Sequence, residues 1–255
     1  MPIVRIAFGE RVFAPRWAMT ALAAALCVLF VRLGDWQWDK GILRRAEWAA
    51  FARGADAPVA LGARDTAAVP RFERVRVQGR FDPAHQFLLD NLVHDGAAGY
   101  EVLTPFALND GRMLLVDRGW VPFSGYRSRL PDVRFAASAP LVLTGRIDAL
   151  PAPGLSLGRT APAPGASWPK VTSYPDMHEL AHALGVPLEP RILLLDPHDP
   201  YGYVRDWQPP GISPDRNISY AVQWWGFAVT LIVIWAVTSA PKTSAAKARR
   251  PRERH

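Results

Sequence analysis

Two apolar stretches, one near each end of the chain, bracket a much longer polar stretch, and few architectures accommodate that plan. The first runs from Trp17 to Val31, with Leu33 beyond Arg32; the second runs from Ile218 to Val237. The second holds no charged side chain across its twenty residues. At ~1.5 Å of helical rise per residue it reaches about 30 Å, the thickness of a bilayer's hydrocarbon core. Tyr220 and Trp224 near one end and Trp235 near the other suit the two interfacial aromatic belts. The first stretch is shorter and alanine-rich, as a cleavable signal would be, yet no small-x-small cleavage pattern follows Val31. We expect transmembrane helices at 17–33 and 216–238, with residues 34–215 held outside the cytoplasm.

The formal charge of +7 sits in the two tails. Residues 1–16 carry Arg5, Arg11 and Arg16 against Glu10, and residues 239–255 carry six basic side chains against Glu253. The remainder is neutral, so the basic character is a topology signal and not a nucleic-acid footprint. The C-terminal tail outweighs Arg205 and Arg216 on the other side of its span. This predicts both termini in the cytoplasm of a bacterial cell, a multi-pass inner-membrane location, and contact with lipid but not with nucleic acid. The single cysteine, Cys27, lies inside the first span. No disulfide can form within the chain, and the paired cysteines of thiol redox and copper-delivery proteins are absent.

Between the spans, residues 34 to about 53 continue the first helix outward. Gln37, Lys40, Arg44 and Trp48 fall on one stripe at steps of three and four. That stripe is either a solvated face or a docking face for an acidic group. Alternation then predicts strands over 72–79, 86–89, 100–108, 113–117, 141–147 and 192–195, with Asn109-Asp110-Gly111 as a hairpin turn. Short, spaced strands argue for a mainly antiparallel β (α+β) domain, as a sheet or small barrel. A Pro- and Gly-rich loop is expected from Leu150 to Pro169, and a short helix from Pro175 to Leu184, ended by Gly185.

Three motifs resemble catalytic signatures. His178-Glu179-Leu180-Ala181-His182 matches His-Glu-x-x-His, which on a helix aims two imidazoles at a zinc ion with Glu179 as base. Catalytic zinc needs a third protein ligand, and Leu188 stands at the position where one is found in some zinc proteases. A membrane-tethered zinc hydrolase using His178 and His182 is therefore a minor alternative. Gly154-Leu155-Ser156-Leu157-Gly158 lacks the strand and helix that a nucleophile elbow requires. In Ser167-Trp168-Pro169-Lys170, Pro169 opposes the helical turn that would bring Lys170 onto Ser167.

Four segments together resemble the Surfeit locus protein 1 family of cytochrome c oxidase assembly factors. They are Leu33-Gly34-Asp35-Trp36-Gln37 with Lys40 and Arg44, Gly99 to Phe106, Leu115-Val116-Asp117-Arg118-Gly119-Trp120-Val121-Pro122, and Tyr220 to Ala228. Lys40 stands where the family usually has Arg. The resemblance implies a non-catalytic factor that helps deliver haem a to oxidase subunit I, with haem A synthase as a further partner. It also implies a haem-ligating His three residues before Tyr220, and this chain has Asn217 there. Trp36, Trp224 and Trp225 would then offer aromatic surface to the ring, and Lys40, Arg44 and Arg118 would meet its propionates. His85, His94, His178, His182 and His198 match no motif of the family. A scaffold that binds oxidase subunits without touching haem is the second alternative.

Overall fold

The computed structural model describes residues 6–8, 11–53, 57–136, 140–151, 159–209 and 211–240. The Gly-x-Ser-x-Gly segment and the basic C-terminal tail lie outside the described residues. The chain divides into two compact units, Met1–Trp48 with Pro210–His255, and Ala49–Pro209.

The first unit opens with a hairpin of β1 (Ile6–Phe8) and β2 (Arg11–Phe13), which no periodicity in the sequence signals. Its body is an antiparallel pair of helices. Helix α1 runs unbroken over Trp17–Arg53, and α3 over Pro214–Ser239. Both are long and apolar enough to cross a membrane. The less exposed residues of α1 recur at alternating steps of three and four: Thr20, Ala23, Cys27, Phe30, Gly34, Gln37, Gly41, Arg44 and Trp48. On α3 the same rhythm runs through Pro214, Asn217, Ala221, Trp224, Ala228, Leu231 and Trp235. A seam that repeats every seven residues is how two helices stay in contact along a shallow left-handed crossing.

The second unit is a β-barrel with additions. Strands β4 (Arg74–Phe81), β8 (Leu141–Asp148), β10 (Ile192–Leu195), β7 (Met113–Pro122) and β6 (Ala97–Leu108) pair in that order, and β6 returns to β4. Closure occurs where β4 changes partner: Gly79 is in register with Leu141 of β8 and also with Leu108 of β6. A Cβ at Gly79 would stand 2.1 Å from the Ala107 carbonyl oxygen, so the close approach of β6 requires glycine. Pairing around the circuit is antiparallel except between β10 and β7. Strand β5 (Phe87–His94) lies antiparallel outside β6. Two short strands, β3 (Val59–Ala60) and β9 (Lys170–Thr172), join β4 and β5 in parallel. The alternation of β4 puts Val75, Val77 and Phe81 inside with Phe106, Leu114, Val116, Leu143 and Leu193. Helix α2 (Met177–Leu184) covers the outer face through Leu180, packed on Phe87, Leu103, Leu115 and Ile192.

The barrel wall also holds acids. Asp117, 1% exposed, lies close enough to the Glu101 side chain on the neighbouring strand for their charges to act on one another, and its Oδ1 accepts from the Gly119 amide at 2.9 Å. Burial first, then the Glu101 charge, holds the Asp117 carboxyl well above the ordinary carboxylate range. Burial raises Glu101 too. Groups raised on folding stabilise fully below their unfolded pKa near ~4 and lose that contribution as pH rises through the folded values. Asp117→Asn retains the acceptor for Gly119 and removes the ionisation. Its melting temperature should therefore gain on wild type as pH rises from about 4 towards neutrality in detergent-solubilised protein; an offset independent of pH would refute the raised Asp117 carboxyl.

Candidate functional site

In the helix pair, bulky aromatic side chains of α3 meet small residues of α1. A Cβ built on Gly34 would fall 2.3 Å from Trp225 Nε1, so the indole lies directly on bare helix backbone. Trp225 also meets Trp38 at 5.7 Å between centroids, and Trp224 meets Phe30 at 5.7 Å. Near the other end, Trp235 Nε1 donates to Thr20 Oγ1 at 3.1 Å. The Cys27 thiol faces the Ala228 carbonyl at 3.7 Å. These contacts fasten the pair along its length.

The expected site residues separate into inward and outward groups. Trp224 and Trp225 are part of the helix seam. Arg44 donates to Glu47 at 2.7 Å and lies against Gly211. Asn217 is 5% exposed and, with Pro214 and Ile218 of its own helix, lies against Gly41 across the seam. Trp36 and Lys40, in contrast, are exposed. Lys40 therefore leaves the stripe expected for it, because the seven-residue rhythm from Gln37 lands on Gly41. Arg32, Asp35 and Asp39 share the outward side of α1, and none of these three or Lys40 has an ion-pair partner among the described residues. Gln223 is likewise exposed on α3.

Arg118 belongs to the other unit. It is 3% exposed. Its Nε donates to the Tyr201 carbonyl at 2.6 Å, and its Nη1 donates to Gln86 Oε1 at 3.0 Å. The guanidinium carbon lies 3.7 Å from the Phe135 ring centroid. Gln86 Oε1 also accepts from Thr104 Oγ1, while its Nε2 donates to the Pro83 and Val133 carbonyls. Burial lowers the Arg118 pKa. The next residue, Gly119, has φ +101, a backbone turn that glycine takes freely. The turn lets Trp120 exchange backbone hydrogen bonds with Val204. The Asp117-Arg118-Gly119-Trp120 motif is thus a device of the barrel wall, with Asp117 clasping the turn from one side and Arg118 entering the interior.

His178 and His182 are exposed on α2. Glu179 is committed to a capping box with Asp176, accepting from the Asp176 amide at 3.0 Å, and to an ion pair with Arg159 at 2.8 Å. Among the described residues no three His, Cys, Asp or Glu side chains converge to hold a metal ion. Lys170 is buried over the Trp168 ring, with Nζ donating to the Pro164 carbonyl.

Two helices long and apolar enough to cross a membrane, one before and one after a closed barrel in the chain, are the plan of a membrane protein with a β domain between its spans, and the helices are compatible with that class. The SURF1 family model matches residues 24–229, and the chain belongs to that family. Similar proteins include the uncharacterized SURF1-like proteins of Mycobacterium bovis and Mycobacterium tuberculosis. Each is 28% identical over 235 residues, covering 88% of this chain and 83% of the relative. The family is known for oxidase assembly.

The nitrogen ligation of haem that the resemblance implies does not fit the helix pair. Position 217 carries a carboxamide turned into the helix seam, and no histidine lies in either helix. Sequence reading did not find the outward group of Arg32, Asp35 and Asp39; unpaired charges within and beside an apolar stretch were the available signal. Arg118 should behave as a structural residue. Arg118→Leu leaves the Tyr201 carbonyl without its donor, takes one of the two donors from Gln86 Oε1, and should cost about 3 kcal/mol of barrel stability. Denaturant unfolding of the purified protein reads this; an equally stable variant that fails only in oxidase assembly would make Arg118 a ligand contact instead.

Proposed function

We propose that this protein is a non-catalytic assembly factor for haem–copper cytochrome c oxidase in a bacterial inner membrane. Its barrel domain lies on the periplasmic side and both termini lie in the cytoplasm. It presents the outward side of α1 to oxidase subunit I. The supporting observation is the division of the membrane-edge residues: Trp224, Trp225 and Asn217 are used between the helices, while Trp36, Lys40, Arg32 and Asp35 face away, the charged three with no ion pair among the described residues. Ionisable side chains beside a span are costly unless a partner meets them.

We assign the chain's part in haem a delivery to contact with the oxidase subunit and not to ligation of iron. The replacement of the family's His by Asn217 also favours the haem-free scaffold as a second reading. In a strain lacking the protein, assembled oxidase measured by its reduced-minus-oxidised spectrum should fall and return with the wild-type gene. Trp36→Ala with Lys40→Glu should restore it several-fold less well, while accumulating normally in membranes. Unchanged oxidase in the deletion strain would sink the assembly role.

A separate measurement addresses the cofactor. Wild-type protein purified from cells that make haem a should carry it below stoichiometry, without the Soret band of a nitrogen-ligated low-spin haem. Stoichiometric six-coordinate haem in the wild type would overturn this and direct attention to the five histidines of the barrel unit.

A further inference from the structure

The barrel unit contains a pocket of about 310 Å³ in which three guanidiniums gather: Arg74, Arg146 and Arg205. Arg74 on β4 and Arg146 on β8 are directly opposite in register. Like charges directly opposite in an antiparallel pair repel. Asp196 answers one of them, with Arg74 on its Oδ2 through both Nε and Nη2. Arg146 and Arg205 meet no carboxylate within 4.0 Å among the described residues. Arg146 donates Nη1 to the Phe51 carbonyl at 3.2 Å, and its guanidinium carbon lies 4.1 Å from the Phe51 ring centroid. Arg205 donates Nη1 to the Asp196 carbonyl at 2.6 Å and Nε to the Tyr203 carbonyl at 3.2 Å.

A guanidinium carries five N–H donors in a planar fork, so both arginines have donors left over. Burial lowers the pKa of each, and Arg74 lowers that of Arg146 further. Asp206 also lines the pocket but accepts from Gln208 Nε2 at 2.8 Å. Among the lining residues, Asp196 and Asp206 against the three arginines leave one positive charge, apart from the exposed imidazole of His198; Asp199, outside the lining, offsets part of the Arg205 charge. The other walls are apolar or flat: Leu194, the Phe51 ring and the Trp207 indole, whose Nε1 is anchored on the Leu195 carbonyl at 2.8 Å.

We propose that this pocket binds one singly charged oxyanion, a carboxylate or a phosphodiester, carried on an apolar body. The forks of Arg146 and Arg205 hold the anion, and the body lies against Phe51, Leu194 and Trp207. This relieves the Arg74–Arg146 repulsion that the strand register imposes. Arginine suits the task because its planar donors match two oxygens at once. The site is independent of the helix-pair face assigned to oxidase assembly.

The test uses the full chain in neutral maltoside micelles and isothermal titration with two probes, sodium hexanoate and dihexanoyl phosphatidylglycerol. Zwitterionic dihexanoyl phosphatidylcholine is the control, and the Arg146→Gln, Arg205→Gln double variant serves as the blank for micelle partition. Saturable one-to-one binding of at least one anionic probe is expected. Hexanoate alone points to a free carboxylate ligand, and phosphatidylglycerol to a lipid headgroup. Either single variant should weaken binding about tenfold, Arg146→Lys should weaken it less, and Arg134→Gln, at an exposed arginine paired with Asp132, should leave it unchanged. If neither probe binds, or if binding survives in the double variant with its near-ultraviolet dichroism intact, the proposal fails. If the Gln variants do not fold, loss of binding at raised salt and weakening in Arg146→Lys decide the matter, and binding unchanged in both overturns it.

Discussion

The contact between Trp225 and Gly34 sets the terms for the helix pair. An indole can lie on a helix only where the helix has no side chain, and Gly34 supplies that gap. Lipid tails are as apolar as leucine, so two helices in a bilayer gain little by hiding apolar surface from water. They gain from close, well-matched packing. Large rings of α3 against small residues of α1 provide it, and the seven-residue rhythm holds the match from Trp235 and Thr20 to Asn217 and Gly41. The same packing determines which side chains remain outside. Once Gly34, Gln37 and Gly41 face α3, Arg32, Trp36 and Lys40 must face away from it.

The barrel follows a different economy. Its interior is apolar along most of its length, yet Arg118, Gln86 and Thr104 lie within, each hydrogen-bonded. A satisfied buried network of this kind fixes one arrangement of strands, because any slip strands a donor or an acceptor. Here it ties β6 and β7 to the segments carrying Gln86 and Tyr201. The Glu101–Asp117 pair works near the same bend in the wall, and Asp117 joins it to the turn at Gly119. The barrel therefore stores its polar cost where β7 leaves regular geometry.

Much of this was legible from local pattern. The alternation over 72–79 marks most of the half-buried strand β4, Asn109-Asp110-Gly111 marks the turn between β6 and β7, and the helix expected from Pro175 to Leu184 is α2. What was not legible depends on partners distant in sequence. The parallel pairing of β10 with β7 has no local signal, because Ile192-Leu193-Leu194-Leu195 is apolar on both faces and suits any central place in a sheet. The stripe through Lys40 was misplaced because Lys40 and Gly41 are both compatible with a helical period, and only α3 distinguishes them. The opposition of Arg74 and Arg146 could not be foreseen from two arginines 72 residues apart without the strand register.

The four segments that carry the family resemblance also acquire a division of labour. Gly34, Trp224, Trp225 and Ala228 serve helix packing, and Asp117 to Trp120 serve the barrel wall. Each of these is used inside its own unit, so the motifs mostly specify the fold. The polar and interfacial residues left over are Trp36, Asp35, Lys40, Tyr220 and Gln223, all exposed, with Val222 and Phe227 exposed beside them on α3. An enzyme concentrates unsatisfied polar groups in a cavity, where a small substrate can be enclosed. Here the surplus among the motif residues lies on an open helical surface, which suits another protein's helix better than a substrate. That placement, more than any single side chain, is why we read the motif surplus as a surface for another membrane protein.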